Sequence, residues 1–284
     1  MQFVSTRGRA AKLGFSDAVL AGLASDGGLY LPEHWPQLSP AEIAGFANRP
    51  YADIAFEIIS RFVGGEIADA ELRGIIEAAY GGFGHPSVAP LVELEPGHFL
   101  LELFRGPTLA FKDVAMQFLA RVMDHILTAR GAHATIVGAT SGDTGSAAIE
   151  AFRNRPAIDI FILHPEGRTS EVQRRQMTTV LDDNVHNIAL KGTFDDCQTL
   201  VKGLFNHHEF RDEVQLSGVN SINWGRIVAQ IVYYFTAASS LGSPHREVTF
   251  VVPTGNFGDI FAGYCARRMG LPVRTLAIAT NTND

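Results

Sequence analysis

The chain has 284 residues, of which 46% are hydrophobic and 19% charged, and its formal net charge at pH 7 is −7. This composition is typical of a globular protein that is long enough for one large domain or for two or three smaller domains. The negative charge, and the lack of a basic stripe with interleaved aromatic residues, argue against nucleic acid and anionic membranes as partners.

The N-terminal residues and the cysteines bear on the cellular compartment. The opening "MQFVSTRGRAAKLGFSDAV" has no apolar signal core, and no apolar run reaches ~18 residues, so we expect a cytoplasmic protein. Cys197 and Cys265 lack the CxxC spacing of a zinc or redox site. They are interpreted as reduced thiols, and no pairing of carboxylates indicates a metal site.

Residues 1 to about 95 are predicted to be mainly helical. Ser16 is the expected N-cap of "SDAVLAGLA", and Ser39 followed by Pro40 predicts a helix start in "SPAEIAGFA". Apolar residues at helical spacing predict two more helices, in "YADIAFEIISRFVG" and "DAELRGIIEAAYG". The following segment, "GGFGHPSVAPLVELEPG", is interpreted as a connector.

From about residue 99 the sequence alternates between strand-like and helix-like segments. The predicted strands are "HFLLELF", "ATIVGAT", "IDIFILHP", "NVHNIALKG", "EVTFVVPTG" and "VRTLAIAT". Predicted helices lie between them, including "KDVAMQFLARVMDHILTARG" and "NWGRIVAQIVYYFTAASSLG". This alternation predicts an α/β fold with a parallel sheet and crossover helices.

The sequence stops at "VRTLAIATNTND", just after a predicted strand. An α/β domain normally turns into its next helix at such a point. We therefore expect these residues to be the front part of a longer protein, and a natural terminus in a loop is the alternative.

Lys112 lies in the apolar context "GPTLAFKDVAMQFLA", at the start of a predicted helix. The chain has only four lysines, at positions 12, 112, 191 and 202. Desolvation by apolar neighbours and the positive end of the helix both favour a neutral amine, which is the form that reacts with a carbonyl group. The alternative is an ordinary lysine whose stem lies on apolar surface and whose ammonium group reaches water.

Two loops between a predicted strand and a predicted helix are rich in glycine and hydroxyl residues. The first is "GATSGDTGSA", at Gly138–Ala147, and the second is "PTGNFGD", at Pro253–Asp259. Such a turn points backbone N–H groups at a ligand and favours an anion, a carboxylate or a phosphate. The first loop is not a P-loop, because no Gly-Lys-Ser/Thr follows, and a tight turn that needs small residues is the alternative. Such loops converge at the topological switch points of parallel sheets, so we expect these two loops to lie close together.

Four motifs in this order closely resemble the threonine synthase family: "GPTLAFKD", "GATSGDTGSAA", "SINWGRIVAQ" and "PTGNFGDIFAGY". This family belongs to the pyridoxal-phosphate enzymes of the tryptophan-synthase-β type, and "FVSTRG" and "DGGLYLP" are similar to the N-terminal domain of its longer members. The resemblance runs from residue 3 to residue 284 and implies a parallel-sheet fold with two subdomains. It divides the chain into an N-terminal mainly helical domain at 1–95 and an α/β domain at 96–284. The smaller subdomain is expected at about 110–215, and part of the larger one at about 216–284.

The resemblance also implies roles for individual residues. Lys112 would join pyridoxal 5'-phosphate as a Schiff base. The cofactor phosphate would lie on a loop formed by Gly255, Asn256, Phe257, Gly258 and Asp259. The substrate carboxylate would lie on a loop that includes Thr140, Ser141, Gly142 and Thr144. Asp143, also expected to contact the cofactor, stands where related enzymes often have an Asn that approaches the ring hydroxyl.

The implied reaction converts O-phospho-L-homoserine and water to L-threonine and phosphate, the last step of threonine biosynthesis. The free amine of Lys112 would act as the base, and no obligate protein partner is indicated. Candidate groups for the substrate phosphate are Ser221, Asn223 and Arg226, whereas Lys191 is interpreted as a surface residue. The family's hydroxyl residue that faces the ring nitrogen is not in this sequence, so we expect weak or no turnover from residues 1–284 alone.

Three other interpretations remain open at this point. One is another pyridoxal-phosphate enzyme of β-elimination or β-replacement, such as a serine/threonine dehydratase or a cysteine synthase. Another is a nucleotide-binding protein without a covalent cofactor, and the third is a non-catalytic binding fragment.

Overall fold

The N-terminal region combines four helices with a small sheet, as seen in the computed structural model, which describes residues 1–218 and 223–281. Strand β1 (Phe3–Ser5) pairs antiparallel with β2 (Tyr30–Pro32). The helices are α1 (Phe15–Ala21), α2 (Pro40–Ala44), α3 (Tyr51–Val63) and α4 (Asp69–Tyr80). The mainly helical character predicted for this region is therefore present, together with two short strands that the sequence pattern did not predict.

The start of α1 differs from the prediction. Ser16 lies within the helix and Gly14 is the N-cap residue. The Glu66 carboxylate accepts hydrogen bonds from the N–H groups of Phe15 and Ser16, at 2.7 and 2.9 Å. A carboxylate from a distant part of the chain therefore caps this helix in place of a local side chain. Sequence spacing alone does not reveal such a cap. The predicted start of α2 is correct, because Ser39 caps it in a capping box with Glu42 and Pro40 is its first residue.

A β-hairpin follows the helical region where the sequence indicated a connector. Strand β3 (Leu91–Glu95) pairs antiparallel with β4 (His98–Leu101). The turn between them contains Gly97, whose φ of 82° is the left-handed conformation that glycine adopts easily. The alternation in "LVELE" is thus a strand signal that the surrounding glycines and prolines obscured.

The predicted parallel sheet is present and has four described strands. Strands β5 (Ala134–Ala139), β6 (Ile158–Pro165), β7 (Val185–Leu190) and β8 (Leu216–Ser217) lie in the order β7-β6-β5-β8, and every pair is parallel. The helices of this part are α5 (Asp113–Ala129), α6 (Asp143–Phe152), α7 (Glu171–Thr178), α8 (Phe194–Asn206) and α9 (His208–Glu213). The carboxyl end of β5 runs directly into the first glycine loop.

The last part of the chain forms a second parallel pair. Helix α10 (Trp224–Ser240) precedes β9 (Val248–Pro253), α11 (Gly258–Arg268) and β10 (Val273–Ala279), and β9 pairs with β10. The second glycine loop connects β9 to α11. The sequence therefore predicted both strand–loop–helix units correctly.

Helix α10 joins the N-terminal region to the rest of the core. Its Trp224 is fully buried, and its ring lies 5.6 Å from that of Phe3 and 5.3 Å from that of Phe62. One continuous hydrophobic cluster includes residues of α3, α5, α6 and α10. The start of α10 is therefore held rigidly, which matters for Arg226 in its first turn.

Among the described residues, no helix is long and apolar enough to cross a membrane.

Candidate active site

Lys112 lies at the N-terminus of α5, where the first helical residue is Asp113. Its side chain is 16% exposed, and its ammonium group donates a hydrogen bond to Oδ2 of Asp143. The Phe111 ring centre lies 4.8 Å from the Lys112 Nζ. The lysine is thus shielded from water, as the sequence predicted, but its closest partner is a carboxylate on the first glycine loop.

The contact with Lys112 lowers the pKa of Asp143. Partial burial acts to raise the pKa of Asp143, but the hydrogen bond and the charge of Lys112 outweigh it, and the pKa lies below its ordinary value of 3.8. The N–H of Thr144 adds a hydrogen bond to Oδ1 of Asp143, at 2.8 Å. A nearby ammonium group favours the charged form of a carboxylate. The sequence did not show that the loop brings a carboxylate to the lysine, because the two residues lie 31 positions apart in the chain.

The first glycine loop, residues 140–145, is held together by the buried hydroxyl of Thr140. This hydroxyl accepts hydrogen bonds from the N–H groups of Gly142 and Gly145, both at 2.9 Å. In the described part of the chain, the N–H groups of Ser141 and Asp143 have no hydrogen-bond acceptor. The loop therefore offers two backbone donors at the N-terminus of α6, which suits a carboxylate.

Gly142 cannot be replaced without moving its surroundings. Its φ is 152°, and an added Cβ would lie 2.1 Å from Oε1 of Gln173 in α7. Gly145 is similarly tight, since an added Cβ would lie 2.8 Å from the Met177 sulfur. Helix α7 thus packs directly against the back of the loop.

The second glycine loop, residues 254–259, leaves more of its N–H donors without an acceptor. Oγ1 of Thr254 accepts a hydrogen bond from the N–H of Phe257 at 3.1 Å, and Phe257 adopts a left-handed φ of 61°. No acceptor in the described ranges, 1–218 and 223–281, takes the N–H groups of Gly255, Asn256, Gly258 or Asp259. Four free donors at the positive end of α11 form a cradle for a phosphate.

Asp259 braces this second loop through its side chain. Its Oδ1 accepts hydrogen bonds from the Thr254 hydroxyl at 2.5 Å and from the Ile260 N–H at 2.8 Å. Because a carboxylate repels a phosphate, only the N–H of Asp259 suits the predicted role in holding one. The sequence pattern identified the residue but could not separate its backbone from its side chain.

Arg226 lies in the first turn of α10 and is 3% exposed. Burial lowers the pKa of its guanidinium to about 10, and the nearby charge of Asp143 acts in the opposite direction. Arg226 is therefore cationic at neutral pH despite its burial, and it is not a surface arginine.

The other candidates for the substrate phosphate have different surroundings. Asn223 is 1% exposed, and its side chain donates to the Val19 carbonyl and accepts from the Gly225 N–H, both at 2.8 Å. It is the N-cap of α10, so its side chain holds the helix in place. Lys191 is exposed, as predicted, and Ser221 lies outside the described residues.

A cavity of about 1040 Å³ brings the predicted residues together. It is lined by Lys112, Thr140, Thr144, Arg226 and Asn256, which come from both loops and from the starts of α5 and α10. Residues 20–25 of the N-terminal region form part of its wall. The cavity therefore lies between the loops that follow β5 and β9, which converge as the sequence predicted although the two strands belong to different sheets.

Several predicted residues do not line this cavity. They are Ser141, Gly142, Asp143, Asn223, Gly255, Phe257, Gly258 and Asp259. Two cationic residues that the sequence did not assign, Lys202 of α8 and Arg211 of α9, do line the cavity. The scarcity of lysine in this chain was the only available signal for Lys202, and nothing pointed to Arg211.

The donor set fits pyridoxal phosphate. The cavity contains a lysine amine for the aldehyde of the cofactor, and the cradle of residues 255–259 has four free N–H groups for its phosphate. A Cβ added to Gly255 would meet no atom within 4 Å, so the space beside the cradle is open. Among the described residues, no group of three or more His, Cys, Asp and Glu side chains could hold a metal ion.

Two protein-family models match the chain. The model described as "Threonine synthase N terminus" matches residues 2–80, and the model described as "Pyridoxal-phosphate dependent enzyme" matches residues 84–284. The second match covers more than half of the chain. Pyridoxal phosphate as the cofactor is thereby confirmed, and the alternative of a nucleotide-binding protein without a covalent cofactor is not supported.

Relatives of known sequence and structure give the same result. The chain is 60% identical over 284 residues to the threonine synthase of Pseudomonas aeruginosa and 48% identical over 295 residues to that of Schizosaccharomyces pombe. All of the chain is matched in both, against 61% and 57% of the two relatives.

Two solved structures extend the comparison. The pyridoxal-phosphate-bound threonine synthase of Brucella melitensis superposes with a TM-score of 0.98 at 61% identity, and the threonine synthase of Escherichia coli with 0.86 at 39%. The whole chain is covered in both superpositions, against 61% and 65% of those two structures. The chain thus spans about 60% of the length of these relatives, and the resemblance to threonine synthases noted in its sequence is confirmed. The predicted α/β fold class is also confirmed. The chain therefore belongs to the family of pyridoxal-phosphate dependent enzymes, and its lysine, cradle and cavity suit that cofactor.

Proposed function

We propose that the whole protein is a threonine synthase, which converts O-phospho-L-homoserine and water to L-threonine and phosphate. The observation that carries the proposal is the single cavity shared by Lys112, both glycine loops and the buried Arg226. This arrangement suits a substrate with an amino group, a carboxylate and a phosphate. The threonine synthases of Pseudomonas aeruginosa and Brucella melitensis, which match the whole chain, support it.

The cofactor would be held at two points. Lys112 would link to it covalently, and the N–H groups of Gly255, Asn256, Gly258 and Asp259 would bind its phosphate. Asp143, already in contact with the lysine, would lie beside the bound cofactor. When bound, pyridoxal phosphate supplies an electron sink for the carbon atoms near the substrate's amino nitrogen.

The proton chemistry would fall to Lys112. A freed ε-amine at this position is placed to take a proton from Cα, and then from Cβ, and to return a proton to Cα. Asp143 would orient the amine through the hydrogen bond between them. Arginine could not replace this lysine, because its guanidinium stays protonated and is a poor nucleophile.

The substrate's two anionic ends would bind to different elements. The free N–H groups of Ser141 and Asp143, at the positive end of α6, would hold the carboxylate, with Thr140 and Thr144 shaping the loop. The buried guanidinium of Arg226 would hold the phosphate, as a charge-assisted donor that remains cationic at neutral pH. Asn223 would act indirectly, by fixing the start of α10 on which Arg226 lies.

The assay is phosphate release and threonine formation from O-phospho-L-homoserine by the full-length protein. We expect Lys112→Ala to lose turnover by at least about a thousandfold, because general base catalysis and covalent cofactor attachment both fail. Lys191→Ala, at an exposed lysine, is the control and should retain wild-type turnover. Wild-type protein that eliminates from serine or O-acetylserine but releases no phosphate from O-phospho-L-homoserine would favour the dehydratase or cysteine-synthase alternative.

We further propose a refined domain boundary. The boundary predicted between residues 95 and 96 would cut the hairpin of β3 and β4, whose strands pair with each other. A boundary before Leu91 keeps the hairpin in the second domain. A cytoplasmic location stays a prediction from the sequence.

A further inference from the structure

The turn that precedes Lys112 lacks regular secondary structure. Residues 106–111 lie in the segment between β4 and α5, and Leu109 adopts a left-handed φ of 62° with its side chain 69% exposed. The only backbone–backbone hydrogen bond within the turn runs from the Leu109 N–H to the Gly106 carbonyl, at 3.2 Å. A turn of this kind needs side chains to fix its position.

Asp113 supplies the first of these side chains. It is 0% exposed, and its two carboxylate oxygens accept hydrogen bonds from the Thr108 N–H at 2.8 Å and the Thr108 hydroxyl at 2.7 Å. An added Cβ on Gly106 would lie 2.4 Å from the Asp113 Cβ, so the residues are packed without free space. Burial raises the pKa of Asp113, and the two hydrogen bonds from Thr108 act against that rise.

Gln176 of α7 supplies the second side chain that fixes the turn. Its Nε2 donates a hydrogen bond to the Thr108 carbonyl at 3.0 Å. Thr108 is thus bound at all three of its polar groups: the N–H, the hydroxyl and the carbonyl. The same helix packs against the first glycine loop, through Gln173 at Gly142 and Met177 at Gly145.

We propose that Asp113, Thr108 and Gln176 form a positioning clamp that sets where Lys112 presents its amine relative to the first glycine loop. The inference builds on the proposed function of Lys112 and assigns no catalytic role to the three residues. Asp113 directly follows Lys112 and Gln176 lies on the helix behind the loop, so the clamp connects the two sides of the Lys112–Asp143 contact. A displacement of about 1 Å at a reacting group costs about a hundredfold in rate, which is the scale of effect that a loosened clamp can produce.

The test compares variants that differ in one hydrogen bond. Thr108→Val removes the hydroxyl at nearly constant shape, and Thr108→Ser keeps it. Gln176→Met removes the donor to the Thr108 carbonyl, and Val172→Met, at an exposed site on the same helix, is its control. The measurements on the full-length protein are kcat, KM, the thermal midpoint, and the rate at which apoenzyme develops the absorbance of covalently bound pyridoxal phosphate.

The proposal predicts that Thr108→Val and Gln176→Met slow covalent capture of the cofactor and lower kcat by tenfold or more. KM should change by less than threefold, and Thr108→Ser and Val172→Met should behave as wild type. Equal effects of Thr108→Ser and Thr108→Val, or capture rates within twofold of wild type in Thr108→Val and Gln176→Met, would overturn it. The proposal would also be overturned if kcat falls only in variants whose thermal midpoint falls too, since loss of stability would then explain the loss of kcat. The capture rate needs no substrate, so the clamp can be judged even if wild-type enzyme fails to act on O-phospho-L-homoserine.

Discussion

The two glycine loops have the same plan but differ in what they offer a ligand. Each follows a parallel strand, β5 or β9, and each begins with a threonine whose hydroxyl accepts an N–H from the turn. Among the residues that the structure describes, the hydroxyl of Thr140 accepts two N–H groups of the first loop and two more have no acceptor. The hydroxyl of Thr254 accepts one N–H of the second loop, and four have no acceptor within the same described ranges.

The difference matches the charges of the two anions. A carboxylate carries one negative charge and two oxygens, which two N–H groups satisfy, whereas a phosphate carries up to two charges and three oxygens. The first loop is also more buried: its Thr140 is 2% exposed, whereas Phe257 of the second loop is 49% exposed. We infer that the first loop is preformed by the protein and that the second is completed by its ligand.

The largest expected effect comes from adding a methyl group to one glycine of each loop. Gly142→Ala meets Gln173 and a φ of 152°, so we expect a loss of about 1–3 kcal/mol in the free energy of unfolding. We also expect at least a hundredfold loss in kcat/KM, because the carboxylate donors move.

Gly255→Ala is the matched variant, since an added Cβ there meets no atom within 4 Å. Its free energy of unfolding should change by less than about 0.5 kcal/mol, and its effect should be confined to cofactor affinity. Denaturant unfolding and steady-state kinetics measure both. Equal destabilisation by the two substitutions would break the distinction between a preformed and a ligand-completed loop.

Replacing the two threonines gives the second largest effect. Thr140→Val leaves two N–H groups of the first loop without an acceptor and should cost about 1–3 kcal/mol in the free energy of unfolding. Thr254→Val removes the acceptor of the Phe257 N–H and the donor to Asp259 Oδ1, but both groups lie in an exposed loop where water can replace the hydroxyl, so its cost should stay below about 1 kcal/mol. The Thr→Ser variants serve as controls, and a larger cost for Thr254→Val than for Thr140→Val would contradict the account.

The smallest effect concerns the pH dependence of the contact between Lys112 and Asp143. The pKa of Asp143 is lower in the folded protein than its ordinary value of 3.8, so the contact stabilises the fold above pH 3.8 and loses its contribution as the pH falls through the lower, folded value. Asp143→Asn should therefore be less stable than wild type at neutral pH, with the difference shrinking below pH 3.8. Acid unfolding of both proteins measures this, and a difference that grows on acidification would show that the sign is wrong. The effect is small because the Asp143 side chain is 44% exposed.

Much of this arrangement could be predicted from the sequence, for physical reasons. Alternating strands and helices predict a parallel sheet, and glycine turns at the strand ends predict anion sites, because both follow from local backbone geometry. The apolar neighbourhood at a helix start made Lys112 a candidate only, and the two glycine loops together with the resemblance to threonine synthases assigned its role.

What the sequence could not predict depends on contacts between residues far apart in the chain. Glu66 caps α1 from 50 residues away, Asp143 reaches Lys112 across 31 positions, and Gln176 binds Thr108 across 68. No local pattern encodes such partners. Asn223 was assigned to the substrate from its motif, whereas its side chain caps α10 and binds the Val19 carbonyl 204 positions away.

The central claim is that Lys112 is the residue that binds pyridoxal phosphate, and the small number of lysines permits a direct test. Borohydride reduction of the full-length protein loaded with pyridoxal phosphate, followed by proteolysis and mass spectrometry, locates the lysine that carries the cofactor. The account predicts the label on the peptide that contains Lys112. A label on Lys202, which lines the same cavity, or no labelled lysine at all, would contradict it.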